Sequence, residues 1–233
     1  MTIRSKAVAL AAAALFALPV LAACSSDDGG SAKPTGTPTM LGVPQPGVPN
    51  PPSDTSVDAG FARDMKVHHA QAVEMSFVVR DATQDEATRR LAYDILTAQQ
   101  NQIGQMTGWL SVWGLSQTTM DPPMKWMSPA GMTAMSGHSM APGMTMAPDP
   151  NAPLMPGMAT KDQMDKLATL KGREAEVMFL QLMITHHQAG VAMAQDAVDH
   201  ATTQVVKDLA KSMVNGQLSE IDLMRGMLTE RGA

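Results

Sequence analysis

Two short segments set a histidine pair between methionines: "MKVHHAQAVEM", from Met65 to Met75, and "MITHHQAGVAM", from Met183 to Met193. They lie 118 residues apart, with Met65, His68, His69 and Met75 answered by Met183, His186, His187 and Met193. The donors on offer are imidazole nitrogen and thioether sulfur. Thioethers are poor ligands for Mg, Ca or Mn but suit Cu(I), and imidazole accepts Cu(I), Cu(II) or Zn(II). A thioether binds without losing a proton, whereas a ligating imidazole must be neutral, so affinity should weaken toward about pH 5–6. These eight residues are the candidate metal ligands. Their spacing matches no tetrahedral zinc signature, and the single cysteine of the chain, Cys24, is far from both motifs. Core filling by methionine and self-satisfied polar histidines is the competing explanation. Repetition of the pair in identical frames favours a site.

The elements that must carry these groups are helices. Met65, His68, Ala72 and Met75 fall at i, i+3, i+7 and i+10, which places them on one face. Met183, His186, Gly190 and Met193 repeat the pattern. The adjacent His69 and His187 sit about 100° further round, so one imidazole of each pair faces the bundle axis and the other a helix–helix seam or the rim. Ala72 and Gly190 leave room beside the inward histidines.

The register continues beyond the motif. Leu91 and Ala92 match Leu209 and Ala210, Gln99 matches Gln217, Ile103 matches Ile221, Met106 matches Met224 and Leu110 matches Leu228. Gln102 falls opposite Glu220. Correspondence through both helices of each hairpin indicates an internal duplication. Two amphipathic hairpins cannot bury their stripes alone, so the expected fold is all-α, a four-helix bundle. Stripes place the third helix from Leu167 through Leu170 and Glu174 to Met193. Helices two and four would bring Gln99, Gln102, Gln217 and Glu220 to the histidines as secondary polar groups.

The remainder of the chain has different character. Residues 1–23 read as a lipoprotein signal peptide, with Arg4 and Lys6 before an apolar run and a closing "LAAC". That ending resembles the bacterial lipobox, in which Cys24 is acylated and becomes the first mature residue. Removing the leader leaves 15 basic against 22 acidic residues, a formal −7, and no basic patch, which argues against a nucleic-acid partner. Residues 24–56 hold seven prolines and read as a disordered tether, and the domain proper is 57–233. Within it lie hairpin one (57–115), a Met-rich loop (116–160) and hairpin two (161–231).

Methionine is over-represented, at 22 residues, and eleven of these fall between Met120 and Met164 among eight prolines. Taken as a linker, that stretch has no core for its methionines to fill. Met132, Met135, His138, Met140, Met144 and Met146 are therefore candidates for a flexible Cu(I)-capture loop, with a plain low-complexity linker as the alternative.

The paired motifs and their downstream Gln99…Met106 and Gln217–Glu220…Met224 segments resemble the bacterial family catalogued as domain of unknown function 305. The likeness covers about residues 57–114 and 170–231, with the Met-rich stretch as an insertion. It implies a ferritin-like helical bundle in the cell envelope, with some members linked to copper binding and resistance, and it points to the same eight ligand positions. The expectation is thus a non-enzymatic, lipid-anchored protein facing outside the cytoplasm that binds copper for buffering, storage or resistance. No organic cofactor is expected. Its partners would be a membrane, through Cys24, the metal ion, and a metal-exchange protein, with homo-oligomerisation left open. Two alternatives stand beside it. One is a structural or interaction module whose His/Gln core holds no metal. The other, a metal-dependent oxidase, is disfavoured because di-iron bundles use Glu-x-x-His and no glutamate here is followed by histidine at that spacing.

Overall fold

The computed structural model describes residues 50–136 and 151–233; Cys24, the tether up to residue 49, and His138, Met140, Met144 and Met146 lie outside them. Among the described residues there are six helices and no strand: α1 (Val57–Ala82), α2 (Glu86–Val112), α3 (Pro129–Ser136), α4 (Lys161–Thr169), α5 (Gly172–His200) and α6 (Gln204–Glu230). Helix α1 pairs with α2 and α5 with α6, the two expected hairpins, and the hairpins join through α1 against α5.

Local chemistry sets the helix ends. Ser56 caps α1, its hydroxyl accepting from the Ala59 N–H at 3.1 Å. Asp85 caps α2, accepting from Thr88 N–H at 2.8 Å. Asp58, in the first turn of α1, reaches across the molecule. Its carboxylate accepts from the backbone and hydroxyl groups of Thr202 and Thr203 at 2.5–3.0 Å, at the turn between α5 and α6. Burial alone would push the Asp58 carboxyl up, but these four bonds outweigh it and hold it below the ordinary carboxylate value. Its counterpart 118 residues on, Glu176, accepts from the Thr83 hydroxyl at the turn between α1 and α2 and from Arg231 Nε at 2.8 Å. Each hairpin thus clamps the turn of the other. Asp58→Ala removes four hydrogen bonds to a buried carboxylate and should cost about 1–3 kcal/mol in denaturant unfolding at pH 7. A midpoint unchanged from wild type would remove the clamp.

One expected helix is divided. The stripe predicts a continuous third helix from Leu167, yet α4 ends at Thr169 and α5 begins at Gly172. Leu170 and Lys171 are extended, and Gly172 has φ +53°, a left-handed conformation that glycine adopts without the Cβ penalty. Leu167 still reaches the core, which is why its spacing imitates the start of α5.

The Met-rich segment also departs from expectation. It contains α3, and Met124, Met127, Met135 and Met155 are buried against Phe61, Met65 and Met193, so these methionines do have a core to fill. Two carboxylates pin the segment down. Asp64 accepts from Met124 N–H at 2.7 Å and Trp126 Nε1 at 2.8 Å, and Asp196 accepts from Ser128 N–H at 3.0 Å. Gln71 clamps the backbone of Ala159 with both ends of its amide, at 2.7 and 2.9 Å.

The apolar core falls into two clusters. One gathers Phe61, Met65, Met106, Leu110, Met193 and Met213; the other gathers Met75, Val79, Ile95, Phe179, Met183 and Met224. Met65 shares a cluster with Met193, and Met75 with Met183, as two antiparallel copies of one motif require. The histidines lie in the sequence between these pairs. They form a polar layer between two oily halves.

Candidate metal centre

The layer is built from four imidazoles, all with no solvent exposure. His68 and its counterpart His186 meet ring to ring, centroids 3.7 Å apart and planes 31° from parallel. A residue touching its own duplicate places the local pseudo-twofold between them. The outer rings turn to the seams, as the 100° step allows: His69 to α2, with Nε2 2.6 Å from Gln102 Oε1, and His187 to α6, with Nε2 2.7 Å from Glu220 Oε2.

Hydrogen-bond partners decide which ring nitrogens carry protons. His187 Nε2 faces a carboxylate, His69 Nε2 an amide oxygen, and His186 Nε2 the main-chain oxygen of His68 at 2.9 Å. Acceptors of this kind require Nε2–H, which leaves Nδ1 of each ring as a bare lone pair. All three Nδ1 atoms are buried without a hydrogen-bond partner among the described residues. Both nitrogens of His68, both amide atoms of Gln99, the Oε1 of Gln217 and the hydroxyl of Ser76 share that condition. Gly190 makes the arrangement possible on one side, since a Cβ there would stand 2.4 Å from Gln217 Oε1.

Burial keeps three of the rings, His68, His69 and His186, neutral. Burial drives His68 well below the ordinary histidine value, and the neighbouring His69 and His187 depress it further. Burial brings His69 down to about 3 despite the bond it donates to Gln102. His186 is also pushed well below its usual range, by burial first and then by His68, His187 and His69. Neutral imidazole is the ligating form, so these three pay no proton-release penalty at pH 7.

The sequence-derived ligands therefore come together in part. The four histidines, Gln102 and Glu220 meet in one layer, Gln217 lies against Gly190 and Gln99 is buried, while Met65, Met75, Met183 and Met193 are fully buried in the flanking clusters. Among the described residues no three His, Cys, Asp or Glu side chains converge closely enough to hold an ion as they stand. A coordination shell there would need amide oxygens, thioethers or a turn of an imidazole in addition. Of the loop candidates, Met135 is buried in the apolar core rather than displayed, and Met132 is on the surface of α3. The contact of His186 with the His68 carbonyl was not foreseeable from spacing, because both partners lie on a helix face that periodicity describes only in outline.

The family described as domain of unknown function (DUF305) matches residues 58–228. No curated protein sequence matches the chain. Among solved structures, a DUF305 protein of Streptomyces coelicolor, named as a candidate secreted protein, is 51% identical, covering 78% of this chain and 97% of its own, with TM-score 0.66. A DUF305 fragment from Deinococcus radiodurans is 31% identical over 78% of this chain and 99% of its own, with TM-score 0.56. CopM in its Cu(I)-bound form has the same fold at 21% identity, covering 74% of this chain and 96% of its own, with TM-score 0.51. No helix among the described residues is long and apolar enough to cross a membrane.

Proposed function

The chain belongs to the DUF305 family, and from that premise we propose that it binds copper, without catalysis, in the histidine layer between its two hairpins. One observation carries the reading: the layer buries an excess of electron pairs. Three Nδ1 lone pairs, one on His68 and the oxygens of Gln99 and Gln217 outnumber the unpartnered donors buried among the described residues, the His68 N–H, the Gln99 amide and the Ser76 hydroxyl. Buried polar groups left unmatched each cost about 1–3 kcal/mol, and a cation is the species that accepts pairs from all of them. An anion would only add further electron pairs, whereas one metal ion accepts several at once. Imidazole with nearby thioether selects copper among biological cations. CopM, described in Cu(I)-, Cu(II)- and silver-bound forms, has the same fold, which agrees with this choice. Buffering, storage or resistance outside the cytoplasm are the roles that fit such a protein. The lipid anchor at Cys24 and a weaker capture site formed by His138 with the loop methionines belong to the same proposal.

The competing reading, a metal-free interaction module, draws on the lack of three converging His, Cys, Asp or Glu groups among the described residues. The two part company in a titration. The chain from residue 24 onward, carrying Cys24→Ala to remove the only thiol, is loaded anaerobically with Cu(I) against a graded series of chelators. One ion per chain should resist the stronger chelators, with further ions lost to the weaker ones. Uptake confined to the weak class would leave the layer metal-free and sink the proposal. In cells, the same Cys24→Ala substitution should shift the protein from the membrane to the soluble fraction; unchanged membrane retention would remove the anchor.

A further inference from the structure

The duplication has diverged where the outer imidazoles meet their partners. His69 rests on the neutral amide of Gln102, whereas His187 rests on the carboxylate of Glu220, whose side chain is 27% exposed. The inner rings have diverged too: His186 is held through Nε2 by the His68 carbonyl, while neither nitrogen of His68 has a partner among the described residues. We infer that Glu220 makes the two halves of the layer unequal, so that the His186–His187 half is the one that holds Cu(II). The inference rests on the copper reading above.

Two physical effects converge on that half. A carboxylate behind an imidazole N–H fixes the tautomer, raises the basicity of the other nitrogen and aims it. Both imidazoles of the second half have an oxygen partner at Nε2, the Glu220 carboxylate for His187 and the His68 carbonyl for His186, against one imidazole of the first, so the second is better pre-organised. The charge of Glu220 then adds an attraction that doubles when the ion is divalent, because Coulomb energy scales with ion charge. Gln102 supplies only a dipole. Glu220 is thus a positioning residue that sets which oxidation state the layer prefers, and not a ligand itself.

Glu220→Gln is the direct test, since it gives His187 the same amide partner that His69 has and keeps an oxygen for the His187 N–H. In the Cys24→Ala chain, Cu(II) and Cu(I) affinities are measured separately by chelator competition. Cu(II) binding should weaken about 10–100-fold, the range for loss of such a partner. Cu(I) binding should weaken much less, and each tenfold difference appears as a rise of about 59 mV in the Cu(II)/Cu(I) potential. Gln102→Glu in the otherwise wild-type layer should strengthen Cu(II) binding, a gain that damage to the fold cannot produce. An unchanged Cu(II)-to-Cu(I) affinity ratio in Glu220→Gln, or no gain in Gln102→Glu, would overturn the inference while leaving copper binding intact. A parent chain that binds neither ion overturns the copper reading and this inference with it.

Discussion

Acidification from pH 7 to pH 5 should unfold the metal-free protein or bring it to the edge of unfolding. His68, His69 and His186 are buried as neutral rings, and burial is the first cause of their depressed values. The unfolded chain takes up protons at these positions below its ordinary value of about 6.5, while the native layer does not. A depressed folded value means the stabilisation is complete above the unfolded value and is lost as pH falls toward the folded one. His69, held down to about 3, alone costs about 1.4 kcal/mol per pH unit below 6.5, about 2 kcal/mol by pH 5, and His68 and His186 add to it in the same direction. Set against the stability of a typical domain, about 5–15 kcal/mol, that is a large loss. Asp58 gives no relief, because its value is lowered and its contribution also fades with acid, at lower pH. Circular dichroism from pH 7.5 to 4 reads the loss. A thermal midpoint unchanged between pH 7 and pH 5 would contradict a buried neutral layer. Cu(I) at saturation should displace the acid midpoint downward, since it binds only the folded form.

The second large effect separates stability from binding. His68→Leu combined with His186→Leu keeps side-chain volume nearly constant and removes three buried nitrogens that have no hydrogen-bond partner, plus the bond from His186 to the His68 carbonyl. That carbonyl lies within α1, where the helix supplies its own donor. Relief of the unmatched groups should raise metal-free stability at pH 7 by about 1–3 kcal/mol and flatten the acid limb between pH 7 and 5. Copper affinity should fall by more than about 100-fold, beyond the range known for loss of an outer partner. A layer kept for binding and not for stability predicts both changes together. Loss of stability without loss of copper affinity would make the histidines core elements and reverse the conclusion. The double leucine variant is preferable to alanine here, because alanine adds a cavity cost of its own.

The amino-acid sequence by itself determined the helical class, the hairpin duplication and the eight motif residues. Those features are local or periodic: Met65, His68, Ala72 and Met75 share a helix face whatever they pack against, and a 118-residue offset is visible without coordinates. The turn of His69 and His187 away from the bundle axis followed from the angular step of the helix for the same reason. Tertiary structure alone decided the rest. Periodicity merged α4 into α5, since it counts buried positions and is blind to the extended Leu170–Lys171 step and the left-handed Gly172 between them. Composition made the Met-rich stretch a linker, whereas Asp64, Gln71 and Asp196 draw its backbone onto α1 and α5 and bury Met124, Met127, Met135 and Met155. Those anchors join residues 60 to 88 positions apart, a reach that no local pattern encodes. The protonation pattern of the layer likewise depends on which oxygen each Nε2 meets across a helix pair, so the inward lone pairs exist only once α1, α2, α5 and α6 are packed.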